Sequence, residues 1–154
     1  MVPNALTIDV EEYFQVEALA QRVDRAEGDR LESRVAPETD RLLDLFARHG
    51  VHGTFFTLGW VARRHPDLVR RIVAAGHELA CHGDAHRMIT QMSREDFRDD
   101  IRRAKHTLED LTGARVEGYR APTFSVVRDT LWALDVLRDE SFTYDANIFP
   151  IVHN

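Results

Sequence analysis

Two histidines four positions apart, His82 and His86, follow a short apolar run, Leu79 to Cys81, and flank a turn marked by Gly83. An imidazole pair delivered by a buried strand into one local turn loses little further freedom on converging at an ion, and neutral imidazole nitrogen suits Zn²⁺ and its neighbours. The chain has eight histidines, so such a pair can also arise by chance, and its company decides. That company is an acidic cluster at Asp9, Glu11 and Glu12, and a turn at Arg120-Ala121-Pro122. Two histidines and a carboxylate with one open position make the donor set of a hydrolytic metal site, in which the open position holds a water of lowered pKa. The competing readings are plain: a solvated strand exit for Glu11-Glu12 and a surface ion pair for Arg120.

The elements that must position these residues follow from periodicity. Ala5 to Val10 reads as a short buried strand whose period of two puts Asp9 and Glu11 on one side and Val10 on the other. Gln15 to Ala36 is polar and is expected to form a loop with a frayed helical piece. Pro37-Glu38-Thr39-Asp40 opens an amphipathic helix through Leu42, Leu43, Leu45 and Phe46, which Gly50 ends. Gly53 to Leu58 is a second strand. A helical stretch from Gly59 to Gly76 is interrupted at His65-Pro66, because proline disfavours helical backbone before it and cannot donate within it. The third strand is the run before His82. Ser93-Arg94-Glu95-Asp96 caps a helix to Leu111 that Gly113 stops, and Val116 to Arg120 is a fourth strand. Val127 to Asp139 is a helix with Leu131, Leu134 and Leu137 inward, and Phe142 to Asp145 a fifth strand.

Strand and helix alternate throughout, which predicts an α/β fold of parallel strands joined by right-handed helical crossovers, a barrel or a doubly wound sheet. In both architectures ligands gather at the carboxyl ends of the strands. Asp9, Glu11, His82, His86, Arg120 and Asp145 all fall at such ends, on one rim.

Composition bounds the function. The chain has 154 residues, 44% of them hydrophobic, enough to bury one core over residues 1–154. A net charge of -6 speaks against a nucleic-acid or anionic-membrane surface, and no stretch is long and apolar enough to span a membrane. Cys81, the one cysteine, reads as a small buried residue rather than a nucleophile. No basic, then apolar leader is visible at Met1 to Asn4, which predicts a cytoplasmic protein and leaves the periplasm open.

The ordered set of motifs resembles the polysaccharide deacetylases with the NodB-homology domain, carbohydrate esterase family four. The stretches that carry the likeness are Leu6-Thr7-Ile8-Asp9-Val10-Glu11, Gly53-Thr54-Phe55-Phe56, Gly76-His77-Glu78-Leu79 and His82-Gly83-Asp84-Ala85-His86. Gly118-Tyr119-Arg120-Ala121-Pro122 and Tyr144-Asp145-Ala146-Asn147-Ile148-Phe149-Pro150 complete it. The Asp-Val-Glu form of the first motif is similar to the branch found with exopolysaccharide synthesis genes.

The resemblance implies an incomplete (β/α) barrel and a metal-dependent N-deacetylase acting on an N-acetylated polysaccharide or oligosaccharide. It assigns Asp9 as the base, His82 and His86 as ligands of a divalent metal, zinc first, and Arg120 as the partner that keeps the base ionised. Most of the family places its metal carboxylate directly after the base, where this chain has Val10; strand periodicity makes Glu11 a better candidate than Glu12. Thr123 stands where the family has a tyrosine whose backbone N–H serves the oxyanion, and Asp145 matches an acidic position that supports the site directly or structurally. The family's general acid is a histidine of a later motif expected beyond Asn154; His153 is the only histidine after Arg120. Since a closed barrel takes about 250 residues, the resemblance predicts a C-terminally truncated domain, feeble or inactive without the rest. His52, His65, His77 and His106 are assigned to packing or the surface, with His77 the candidate for a supporting role at the metal. An amidohydrolase acting on a small non-sugar C–N bond and an inactive carbohydrate-binding relic are the other readings.

Overall fold

Five short strands, all parallel, lie side by side in chain order: β1 (Thr7–Val10), β2 (Thr54–Thr57), β3 (Glu78–Cys81), β4 (Gly118–Tyr119) and β5 (Tyr144–Asp145). Among the described residues, five α-helices connect them: α1 (Val35–His49), α2 (Gly59–Arg64), α3 (Pro66–Ala74), α4 (Arg94–Thr112) and α5 (Trp132–Asp139). The computed structural model describes residues 4–19, 22–23, 28 and 30–148. The sheet is not closed, with β1 and β5 as its edges. The expected α/β architecture of parallel strands with flanking helices is the one the chain adopts.

Register sorts the side chains into two faces. Ile8, Phe55 and Leu79 form one row and Val10, Thr57, Cys81 and Tyr119 the next. These rows meet the helices. One apolar cluster joins Leu79, Cys81 and Tyr119 to α4 and α5 through Phe97, Ile101, Ala133 and Val136. A second joins Val10 and Phe55 to α1, α2 and α3 through Phe46, Val61 and Ile72. Burial also pushes the Cys81 thiol up to about 12, as expected of a packing residue.

The opposite rows, Thr7–Thr54–Glu78 and Asp9–Phe56–Ala80, carry polar groups. Tyr144 on β5 donates its hydroxyl to Glu78 Oε1 at 2.6 Å, reaching past β4. It can do so because Gly118 lies underneath: a Cβ there would sit 2.2 Å from the Tyr144 ring.

Several boundaries differ from the periodicity reading. α1 begins at Val35, two residues before Pro37, and Leu45 is 41% exposed. The α2–α3 break falls at His65, with Pro66 the first residue of α3. Leu131 does not face inward but is 50% exposed, ahead of α5. The cause is the 3-10 turn Arg128–Thr130, fixed by Thr130 Oγ1, which accepts from Val127 N at 2.8 Å and donates to Ser125 O at 2.9 Å. That turn resets the helical phase, so Ala133, Val136 and Leu137 take the core positions.

Candidate metal and hydrolytic site

At the tip of β1 the alternation continues one residue past the strand. Val10 is 1% exposed in the core, while Asp9 and Glu11 turn to the other side with side chains 31% and 19% exposed. The tip of β3 lies two strands away and supplies His82, whose side chain is 2% exposed. Glu11 Oε2 lies 2.6 Å from His86 Nε2 and 3.9 Å from His82 Nε2.

The loop that carries both imidazoles is anchored on its far side. Gly83 has φ +81, a conformation suited to glycine, and a Cβ there would meet Asp100 Oδ2 at 2.9 Å. That same oxygen accepts from Asp84 N at 2.8 Å. The Asp84 side chain, 8% exposed, is gripped by Arg63 at 2.6 Å and Arg103 at 2.9 Å. Gly59 N and Trp60 N donate to the carbonyls of Gly83 and Asp84 at 3.0 and 2.9 Å. The loop is therefore a rigid mount, as a site that must hold its geometry needs. His86 itself sits at φ 53, in the left-handed region that few non-glycine residues occupy.

Arg120 follows β4 and crosses the polar face. Its Nη1 donates to Asp9 Oδ1 at 2.7 Å and its Nη2 to Thr7 Oγ1 at 2.9 Å, with the guanidinium 4.1 Å above the centre of the Phe56 ring. In a flat sheet β1 and β4 would lie about 14 Å apart, three spacings of ~4.8 Å, so the long Arg120 side chain bridges the face across β2 and β3 to reach Asp9. The Arg120 side chain is only 13% exposed, which separates the pair from ordinary surface ion pairs. The main-chain oxygen of Arg120 lies 2.8 Å from His82 Nδ1. That contact leaves Nε2 turned toward Glu11 and His86, the second-partner arrangement typical of a ligating histidine.

Beyond Arg120 the chain turns tightly. Thr123 and Phe124 have φ 56 and φ 51, consecutive left-handed residues, and such strain concentrates at functional sites. Ser125 holds the turn by donating to Pro122 O at 2.7 Å and accepting from Ile89 N at 3.0 Å. Asp9, Glu11, His82, His86, Thr123 and Phe124 line a cleft of about 370 Å³ whose other wall includes Val16 and Ala18. A larger cleft of about 550 Å³, between Arg102, His106, Glu109 and Asp110, is built from other residues entirely.

Electrostatics favour ligation. Burial lowers the pKa of His82, an effect that Asp9 and Glu11 oppose and His86 adds to, and the neutral ring so favoured is the form that binds metal. Among the described residues, Glu11, His82 and His86 form a group whose ligand atoms all lie within 4.8 Å of one another. Ligands around a tetrahedral zinc, with bonds of 2.0–2.3 Å, lie roughly 3.5 Å apart, so the donor set suits a divalent cation of that kind, and Glu11 and His86, at 2.6 Å, would part by about 1 Å to share one.

The structure thus gathers Asp9, Glu11, Arg120, His82, His86 and Thr123 at one cleft. Glu12, considered beside Glu11, does not join them: it is fully buried and faces away. Asp145 falls in the row of Tyr119 and serves the site at one remove. Its Oδ1 accepts from Asn147 Nδ2 at 3.0 Å, and Asn147 Oδ1 accepts from Ala121 N, inside the turn that leads to Thr123. His77 does not join Glu11, His82 and His86; it lies at the far end of β3, packed on Phe46, Phe55 and His52. His153 lies outside the described residues. The roles of Asn147, Asp84 and Ser125 had no sequence signal beyond their places in or beside the quoted motifs.

Comparison with known proteins identifies the family and the fold. The family model described as polysaccharide deacetylase matches residues 29–138. A chitooligosaccharide deacetylase of Rhizobium leguminosarum bv. trifolii is 39% identical over 113 residues, which are 73% of this chain and 48% of that protein. The crystal structure of a candidate polysaccharide deacetylase from Mycobacterium smegmatis superposes with TM-score 0.77 at 30% identity, covering 94% of this chain and 50% of that one. A CE4 family pseudoenzyme from Bacillus anthracis shares the fold, with TM-score 0.67 at 20% identity over 92% of this chain and 41% of its own. The chain spans about half the length of these relatives.

Proposed function

Because this chain belongs to the polysaccharide deacetylase family, we propose that it is a metal-dependent N-deacetylase that removes acetyl groups from an N-acetylated polysaccharide or oligosaccharide. The observation that carries this reading is the Arg120–Asp9 pair, at 2.7 Å, beside the cluster of Glu11, His82 and His86. Glu11, His82 and His86 would hold the cation, with zinc the first candidate from the donor set. Such a cation supplies a Lewis acid for the acetyl carbonyl and a water of lowered pKa.

The chain's own groups do the rest. Arg120 engages Asp9 Oδ1, which orients the carboxylate and leaves proton acceptance from the attacking water to Oδ2. Thr123, left-handed and lining the cleft, would offer its backbone N–H to a developing oxyanion, which needs a fixed donor. Phe56 under the guanidinium keeps Arg120 from swinging away. The leaving amine must in turn receive a proton. The Asp-Val-Glu form of the β1 motif suggests a glycan of the exopolysaccharide type.

The test is acetate release from N-acetylglucosamine oligomers by the zinc-loaded chain, with Asp9→Ala as control. Release that is lost in the variant supports the reading. Zinc-loaded protein that binds the oligomers and releases no acetate would contradict it and select a carbohydrate-binding role.

A further inference from the structure

The geometry points to Glu12 as a positioning residue: its buried carboxylate staples the exit of β1 to the head of α1 and to the α2–α3 junction, and so aims Glu11 at His82 and His86. This rests on the metal reading of Glu11 given above. Glu11 lies one residue past the end of β1. Its neighbours hold the backbone on either side of it. Val10 is 1% and Glu12 0% exposed, which leaves the residue between them a single direction, toward the cleft.

Glu12 is held at every polar atom. Its Oε1 accepts from the Ser33 hydroxyl, its Oε2 accepts from Arg34 N at 3.0 Å, and Ser33 Oγ in turn lies 3.0 Å from His65 Nε2. Its own N–H donates to Gln15 Oε1 at 2.9 Å, and its carbonyl accepts from Gln15 N at 2.9 Å. Ser33 and Arg34 lie just ahead of α1, and His65 joins α2 to α3. Two residues on, Phe14 is buried edge-on against Trp60 at 5.9 Å. A buried carboxylate is costly unless its hydrogen bonds are all made, and this one faces away from the cleft. What its contacts provide is a fixed backbone under Glu11, and ligand geometry is lost when a supporting residue lets the first carboxylate drift by about 1 Å.

Zinc titration of the metal-free chain and of Glu12→Ala, Glu12→Gln and Ser33→Ala tests this, read together with the His86 ring resonances of the metal-free proteins by NMR. Glutamine keeps the shape and the acceptor for Arg34 N but not the charge, so it separates positioning from long-range attraction. The expected result is at least tenfold weaker zinc binding and shifted His86 resonances in folded Glu12→Ala, with Glu12→Gln within threefold of the parent. Zinc affinity and ring resonances unchanged in Glu12→Ala would overturn the inference, as would Glu12→Gln losing as much as alanine. If Glu12→Ala does not fold, Ser33→Ala decides: a two- to fivefold loss supports the staple and an unchanged affinity overturns it. If the parent chain takes no zinc, the metal reading itself fails, and the ring resonances alone still decide whether Glu12 sets the Glu11–His86 contact.

Discussion

Arg120 and His82 meet through the main chain of one and the side chain of the other, with Arg120 O 2.8 Å from His82 Nδ1. Arg120 therefore makes two contacts at once: its carbonyl meets the His82 imidazole, and its guanidinium holds Asp9. The two contacts can be separated, because substitution keeps the carbonyl and removes the guanidinium.

Arg120→Lys is predicted to lower kcat by about 10–100-fold, the size of a lost charge-assisted hydrogen bond in a shielded setting. Zinc affinity should stay within threefold, since the contact to His82 is made by backbone. Steady-state kinetics beside a zinc titration checks both halves.

Val10→Asp places a carboxylate where most of the family carries its metal ligand. Here the position is 1% exposed and packed with Val35, Leu43 and Leu58, so the new group enters the core rather than the cleft. We expect a loss of roughly 3 kcal/mol or more in urea unfolding, the scale of an uncompensated buried charge, with no second ligand gained. Tighter zinc binding by this variant would show that the tip of β1 turns more freely than its burial implies.

Much of this site was legible in the sequence, and the reason is periodicity. Strand alternation separated Asp9 and Glu11 from Val10, and the βα alternation set His82, His86 and Arg120 on the same rim. The His65-Pro66 break was equally plain, because proline acts locally. What escaped has non-local causes. Glu12 looked like a solvated exit since its partners, Ser33 and His65, come from two segment ends with no periodic signal. Leu131 looked inward until Thr130 reset the phase of α5. Asp145 was open to a direct or a structural supporting role, and only register, which places it beside Tyr119, assigns the structural one through Asn147.

Asn147→Ala removes the acceptor for Ala121 N, a buried donor. A cost of about 1–3 kcal/mol in denaturant unfolding is expected. Activity should fall further than zinc affinity, because the turn that leads to Thr123 loses its support while Glu11, His82 and His86 keep theirs.

Burial lowers the pKa of His82, and likewise those of His65 and His77. The unfolded chain therefore binds more protons than the folded one as pH falls through about 6.5, the ordinary histidine value. The metal-free protein should melt lower at pH 5.5 than at pH 7.5. Asp100, whose carboxyl burial pushes up, acts in the opposite sense, its stabilising effect growing toward the lower carboxylate range. A melting temperature that rises on acidification from pH 7.5 to 5.5 would contradict the histidine shifts.

The joint grip of Glu11, His82 and His86 on one cation is tested most directly by anomalous diffraction at the zinc edge from crystals grown with zinc. A single strong peak within bonding distance of Glu11 Oε2, His82 Nε2 and His86 Nε2 is the predicted result. Zinc bound elsewhere, with that cleft empty and the two imidazoles turned apart, would contradict it.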